Sequence, residues 1–283
     1  MPRTLNPWER SRSVFYFKLF QPAVDAMRNM PKLQPKGNRP LKMSFEDQLQ
    51  ALVFFHLQEH TSAQHLLQTL KEDDFAREHI APGQGIEKSS FSEAVNNRGL
   101  DQLIHVFQQL QTQAFGVLPN THAELGELIG IDGSLIDGTL SMLWADYRKG
   151  SKKAKVHVGF DLNRSIPRKV HLTDGKGAER PFVSKILSKG QTGVMDRGYQ
   201  CHALFDQWQQ GNQLFICRIK AGTKKKIVSK NVVPAGSIVF FDAMVLLGTT
   251  SVNQSEKPLR LVGYQIEDIQ YWIATNRYDL SAE

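Results

Sequence analysis

The sequence predicts an α/β chain in which a helical N-terminal region precedes a mixed sheet. Three observations carry this reading. Helix-start signals recur through about the first 120 residues, alternation with a period of two takes over after Pro119, and two strand-like apolar runs end in an aspartate, Asp132 and Asp196. A length of 283 residues suits roughly two domains. The expected division is a helical domain over 1–122 and a sheet domain over 123–283.

Taken in order, Ser44 precedes Asp47 and then Leu49, Leu52, Val53 and Leu57; Thr61 precedes Gln64 and then Leu66, Leu67 and Leu70; Ser90 precedes Glu93. Each pairs a capping hydroxyl with a polar residue three positions on, the signature of a helix N-terminus. Leu100, Leu103, Ile104, Phe107 and Leu110 form one apolar stripe at helical spacing. The run Ala81-Pro82-Gly83-Gln84-Gly85 breaks the series. Segments Thr61 to Leu70 and Ser90 to Asn97 are candidates for a DNA-reading helix-turn-helix, although their connection is longer than a tight turn and a plain helical bundle is favoured.

Beyond Pro119, Val156, Val158, Phe160 and Leu162 share one face of a strand, Asn163-Arg164-Ser165 turns the chain, and Val170 and Leu172 repeat the period. This is a hairpin. A helix is expected from Glu179 to Leu187, then the strand ending at Asp196, a helix from His202 to Gln209 with Phe205 and Trp208 in the core, and a strand from Gln213 to Ile219. Strand, helix, strand implies a parallel crossover. Further strands are expected in Ser237 to Leu247 and Leu259 to Ala274. The sum is a three-strand antiparallel portion with a parallel extension, which would place Asp132 beside Asp196. Asp137 is expected as a turn residue before Gly138, and His157 as a polar-face residue.

Charge is concentrated. The chain has a formal net charge of +7, but Arg148 to Lys230 alone holds 19 Lys or Arg against 5 Asp or Glu, so the remainder carries −7. A local surplus of this kind suits a surface that tracks nucleic-acid phosphates. Lys224, Lys225 and Lys226 are its densest run, and Arg197 and Tyr199 lie next to Asp196. Arg197 is read either as a DNA contact or as a brace for Asp196. Two cysteines, Cys201 and Cys217, cannot build a disulfide framework and lack zinc-finger spacing. No apolar run approaches the roughly 18 residues of a membrane span, and a cytoplasmic location is expected.

A carboxylate that closes a buried strand has its backbone fixed by the sheet and its head in the crevice where strands end. Two such groups suit Mg²⁺, which takes hard oxygen ligands. The expected cofactor is a pair of Mg²⁺ ions, with Mn²⁺ as an alternative, bound by Asp132 and Asp196 as catalytic and metal-ligating residues. A carboxylate-pair hydrolase working without metal is the weaker alternative, since it leaves the basic segment unexplained.

Four stretches carry a resemblance: Ile131-Asp132-Gly133-Ser134-Leu135-Ile136, Lys155-Val156-His157-Val158-Gly159-Phe160-Asp161, Val194-Met195-Asp196-Arg197-Gly198-Tyr199 and Tyr271-Trp272-Ile273-Ala274-Thr275-Asn276. In their order and spacing the chain resembles bacterial insertion-sequence transposases of the Asp-Asp-Glu class, in the group whose third motif is Tyr-Arg-Glu-Lys. The resemblance implies an RNase H-like catalytic core with a β-rich insertion at about 220–268. It also implies double-stranded DNA as partner, both element terminal repeats and target, a homodimer in a synaptic complex, and association with the bacterial nucleoid. The third carboxylate of that class is not found after Asn276, so impaired cutting is expected. The alternative function is a truncated DNA-binding product that interferes with the intact transposase.

Overall fold

In the computed structural model the described residues are 7–34, 40–81, 83, 85–138 and 143–283, with the side chains of 7–14 left aside. The chain divides into two compact units, Met1–Val117 and Leu118–Glu283.

The first unit consists of helices α1 (Pro7–Ala26), α2 (Phe45–Leu57), α3 (Ala63–Glu72), α4 (Asp74–His79), α5 (Lys88–Asn97) and α6 (Leu100–Val117). The expected capping box opens α2: Ser44 Oγ accepts from the Asp47 N–H at 3.0 Å, and Asp47 Oδ2 accepts from the Ser44 N–H at 2.8 Å. For α3 the cap is Ser62, one residue after Thr61, its Oγ accepting from the His65 N–H at 3.1 Å. Ser90 caps nothing. Glu87 stands at the N-cap of α5 without a side-chain bond, and buried Ile86 next to it anchors the entry. Packing, more than capping, sets where this helix begins. Since α4 lies between α3 and α5, the two segments proposed as a helix-turn-helix are not joined by a tight turn; Pro82 and Gln84 of the loop between them lie outside the described residues. Tyr16, Phe20, Phe45, Phe54, Phe75 and Phe91 dominate the core. Buried Gln48 donates to the Ala94 carbonyl at 3.1 Å, which satisfies its amide N–H and ties α2 to α5.

The second unit runs β1 (Leu128–Asp137), β2 (Asp146–Arg148), β3 (Ser151–Asp161), β4 (Ile166–Asp174), a 3₁₀ turn (Arg180–Phe182) leading into α7 (Val183–Ile186), β5 (Thr192–Met195), α8 (His202–Gln210), β6 (Leu214–Arg218), β7 (Lys225–Lys230), β8 (Val239–Leu247), β9 (Leu259–Ile266) and β10 (Ile269–Thr275). The strands form one mixed sheet in the order β2-β3-β1-β5-β6-β10-β9-β8-β7, with β4 also paired to β3. Pairing of β4 with β3 and of β3 with β1 is antiparallel, while β1, β5 and β6 run parallel. This is the predicted mixed α/β arrangement, an RNase H-like core. The segment after residue 220 does not form a separate layer: β7, β8 and β9 prolong the same sheet beyond β10.

Which face of the sheet is buried differs from the expectation. On β3 the buried positions include His157, Gly159 and Asp161, while Val156, Val158 and Phe160 are only partly covered. The reason is α7, which packs on the face carrying His157. Gly159 has no room for a Cβ against Ile186, so its missing side chain permits that close approach. His157 is therefore fully buried rather than on a polar face, stacked on Phe182 with ring centroids 3.9 Å apart, and burial holds its imidazole below the ordinary value. Strand β1 also continues past Asp132 to Asp137. Asp137 ends the strand and pairs with Lys153, in place of the expected turn role.

At the other edge of the parallel part, the Ala274-Thr275-Asn276 stretch acts as a clamp. Thr275 donates to the Phe215 carbonyl at 2.6 Å, and the Asn276 amide accepts from the Phe215 N–H and donates to the Gln213 carbonyl, both at 2.8 Å. Its role is structural. Arg277 then turns under the sheet and donates to Thr192 Oγ1 at 2.7 Å and to the Leu125 carbonyl at 2.9 Å.

Candidate active site

Because Ile131 lies opposite Met195 in the parallel ladder of β1 and β5, the next residue along each strand is an aspartate, Asp132 and Asp196. The pair thus stands at the same end of two adjacent strands, and both residues are exposed. Their surroundings differ. Asp132 continues in the ladder with β3, opposite Val158. At Asp196 the backbone leaves the sheet into a 3₁₀ turn, Arg197–Tyr199, capped by Asp196 Oδ1, which accepts from the Gly198 N–H at 2.8 Å. Arg180 braces the same turn by donating through Nε and Nη2 to the Gly198 carbonyl at 3.2 and 3.1 Å. Beneath it, burial pushes the Cys217 thiol up to about 12, so this cysteine is a packing residue and no nucleophile.

Asp196 borders a groove of about 1000 Å³ whose lining includes Arg180, Arg197, His202, Lys220, Asn253 and Glu256. Asp132 lies outside that lining, so the groove leads toward the pair from the Asp196 side. Arg197 is exposed on its wall. Arg180 holds the Asp196 turn through the Gly198 carbonyl and not through the Asp196 carboxylate. Tyr199 is 1% exposed and cannot reach a duplex, which withdraws it from the expected DNA contacts. The lysine run is split by strand alternation: Lys225 turns inward, its Nζ 4.1 Å from the Trp272 ring centroid, whereas Lys224 and Lys226 are exposed. Burial lowers the Lys225 pKa, in keeping with its seat on the aromatic face.

Among the described residues no three His, Cys, Asp or Glu side chains are arranged as a ready metal centre, and both cysteines are free thiols. The donor set is nonetheless the right kind for Mg²⁺ or Mn²⁺. Two exposed carboxylates at adjoining strand ends are hard oxygen ligands with solvent access for the waters that complete an octahedral shell. Residues after β10 add nothing to the pair. Arg277 is tied to Thr192 at the start of β5, the opposite end of that strand from Asp196, and Asp279 is held by Arg277 at 2.7 Å. Two neighbours were not read from the sequence as site residues, Glu179 and Arg180. Their signal was an acidic-basic dipeptide at the start of the helix that follows the hairpin; only the fold shows that this start lies over both aspartate strands.

Comparison with known sequences identifies the family of this unit. The family described as Transposase DDE domain matches residues 126–280. A probable transposase for insertion sequence element IS5377 of Geobacillus stearothermophilus is 25% identical over 143 residues, which are 50% of this chain and 38% of the relative. The chain thus spans well under half the length of that relative. Crystal structures of endonuclease V from Streptomyces avermitilis and from Bacillus subtilis align over 60% and 62% of this chain and 75% and 77% of theirs, each at 11% identity, with TM-scores of 0.28 and 0.26. Likeness that low carries no weight for fold or function. With the family matched across more than half its length, over the unit that holds both aspartates, the chain belongs to the DDE-domain transposases.

Proposed function

We propose that this chain acts on the DNA ends of an insertion-sequence element, with Asp132 and Asp196 as the catalytic, metal-holding residues of a strand-cleaving and strand-joining site. The observation that carries the reading is their placement at the same end of adjacent parallel strands in the family-matched unit. Bound divalent ions, two Mg²⁺ or alternatively Mn²⁺, would neutralise charge on the transferred phosphate and lower the cost of generating an oxygen nucleophile. The chain's own part is positional. Asp132 is held by the ladder with β3, Asp196 by its cap bond to Gly198, and Arg197 and Lys220 face the groove where a phosphate backbone would lie. A P–O bond breaks as the attacking oxygen, from water and afterwards from the freed 3′-OH, forms a new one. Cleavage and joining are then one displacement with two nucleophiles.

The helical unit is assigned to recognition of the terminal repeats and the basic sheet unit to the phosphate backbone. Holding two element ends calls for a homodimer in a synaptic complex. Among the described residues no helix is long and apolar enough to cross a membrane; a cytoplasmic, nucleoid-associated protein fits a DNA substrate. Since Arg277 ties the residues after β10 to the far end of β5, the described residues bring two strand-end aspartates to the site and no carboxylate from beyond β10. With two strand-end aspartates at the site among the described residues, we assign slow cutting to this chain; the second reading is a protein that occupies element ends without cutting them.

The test is a gel-shift and nicking assay on duplexes that carry the element's ends. Expected are a shift without metal and slow Mg²⁺- or Mn²⁺-dependent nicking. Rapid nicking would overturn the impairment, and absence of any shift would overturn the DNA reading. Salt dependence tests the surface separately. Lys224→Ala and Lys226→Ala are each expected to reduce the slope of log K against log salt by about 0.9 for every phosphate no longer neutralised, while Lys225→Ala leaves the slope unchanged. Equal slopes for all three variants would refute the split.

A further inference from the structure

Arg180 joins two parts of the second unit that the aspartate pair alone does not connect. Its backbone opens the 3₁₀ turn Arg180–Phe182, and Phe182 stacks on buried His157 with ring centroids 3.9 Å apart, so the root of the side chain is anchored to the sheet. The guanidinium reaches across to the turn after β5. Nε and Nη2 both donate to the Gly198 carbonyl, at 3.2 and 3.1 Å. Gly198 in turn donates its N–H to Asp196 Oδ1 at 2.8 Å, so a single residue stands between the guanidinium and the carboxylate.

That link has little slack. The Tyr199 N–H donates to the Asp196 carbonyl at 3.2 Å while its ring is buried, which pins the far side of the turn. A Cβ at Gly198 would stand only 3.0 Å from Asp196 Oδ1, so a shift of Gly198 is passed on to the carboxylate. Arg180 is also exposed and lines the same groove as Arg197 and Lys220. Its acidic neighbour Glu179 is held by Lys155 at 3.1 Å, and among the described residues no acidic side chain pairs with Arg180. A guanidinium carries five N–H donors. Two nitrogens that share one carbonyl leave donors over for an anion, and phosphate is an anion that the planar fork fits.

We propose that Arg180 is a positioning residue for Asp196 and that the same guanidinium holds a DNA phosphate in the groove, so that seating DNA and setting the aspartate are coupled. The proposal rests on the metal-holding reading of Asp196. A phosphate on the remaining donors fixes the guanidinium, and through Gly198 it fixes Oδ1 of the carboxylate. Arg197 and Lys220 line the groove without a bond to this turn, so they attract the backbone but do not transmit its arrival.

Two binding measurements on the full 283-residue chain test this without any assay of activity. One is Mn²⁺ affinity without DNA, read by electron paramagnetic resonance of the free ion; the other is gel-shift affinity for a mixed-sequence duplex in EDTA along a salt series. Arg180→Lys keeps the charge and loses the fork. It is expected to weaken Mn²⁺ binding about tenfold, the cost of losing a residue that orients a ligand, with the salt slope retained. Arg180→Gln is expected to reduce the slope of log K against log salt by about 0.9, one phosphate no longer neutralised. Arg197→Ala should reduce the slope without weakening Mn²⁺ binding, which separates the turn from the charge. A purely structural role would lower the urea midpoint of Arg180→Lys and leave the Mn²⁺ affinity of the folded protein as it was. If Arg180→Lys fails to fold, Gly198→Ala decides the positioning role, since its methyl presses on Oδ1 with the Arg180 charge in place and is expected to weaken Mn²⁺ binding likewise. Unchanged Mn²⁺ affinity in the deciding variant, with affinity lost in Asp196→Asn, would overturn the positioning role while the aspartate reading stands. An unchanged salt slope in Arg180→Gln would overturn the coupling to DNA, and unchanged Mn²⁺ affinity in Asp196→Asn would overturn the aspartate reading together with the proposal.

Discussion

Asp196→Asn removes metal-dependent nicking to the limit of detection and lowers Mn²⁺ affinity by about two orders of magnitude, while DNA affinity in the presence of a chelator holds or rises. The first effect follows from replacing an anionic ligand by a neutral amide at the centre of the site, a loss of the size seen when a transition-state-stabilising group is deleted, about 10²–10³-fold. The retained or raised DNA affinity follows from Coulomb's law, because a carboxylate facing a phosphate backbone repels it and an amide does not. Asparagine is the right replacement. Its Oδ1 can still accept from the Gly198 N–H, which now binds Asp196 at 2.8 Å, and Arg180 still grips the Gly198 carbonyl, so the turn is preserved. Filter binding in EDTA and nicking in Mn²⁺ would check both arms. A fall in DNA affinity would mean that the turn had collapsed, and nicking at the unmodified rate would remove Asp196 from the reaction.

Arg260→Met is expected to destabilise the second unit by about 3–5 kcal/mol, the cost of leaving one member of a buried ion pair alone. Arg260 on β9 binds Asp242 on β8 through both nitrogens of its fork, at 2.9 and 2.7 Å, and the two side chains are only 12% and 3% exposed. Asn231 donates a further bond to Asp242 at 2.9 Å, and Arg260 also reaches the Leu280 carbonyl. The bond from Arg260 holds the Asp242 carboxyl below its ordinary value, against the opposing effect of burial. A depressed folded-state value means that this stabilisation is fully present above the unfolded carboxylate range, near pH ~4, and is lost as pH falls through the depressed value. Urea unfolding of the variant against the unmodified chain, at neutral pH and along an acid series, reads both effects. Replacing both partners together, Asp242→Leu with Arg260→Met, should restore most of the stability, since no buried charge is left unpaired. If the double variant is no more stable than Arg260→Met, the pair does not account for the loss.

How far the sequence could be read depends on whether a signal is local. The capping box at Ser44 and Asp47 was legible because its partners are three residues apart and need no tertiary neighbour. At α5 the same logic misplaced the cap at Ser90, because buried Ile86 anchors the helix entry and the start at Lys88 needs no hydroxyl. Strand periodicity located β3 and β4 but not which of their faces is covered. Alternation marks two faces, and α7 chose the one with His157 and Gly159 although the valines lie on the other. Tyr199 and Lys225 depart from expectation for a related reason: composition shows that a run is basic or aromatic, while which way each side chain turns is settled by what packs beside it.

The two strand-end aspartates, the basic middle of the chain and the order of strands around them were set by the sequence alone, because each is a matter of residue type and short-range spacing. Tertiary structure decided the rest. Parallel pairing of β1 with β5 made two distant aspartates neighbours, the start of α7 brought Glu179 over Gly133 and Arg180 onto Gly198, and the clamp at Asn276 and Arg277 fixed the residues after β10 at the far end of the strand. None of these contacts has a local signature. They arise only when strands far apart in the sequence pay the entropy of coming together and share one sheet.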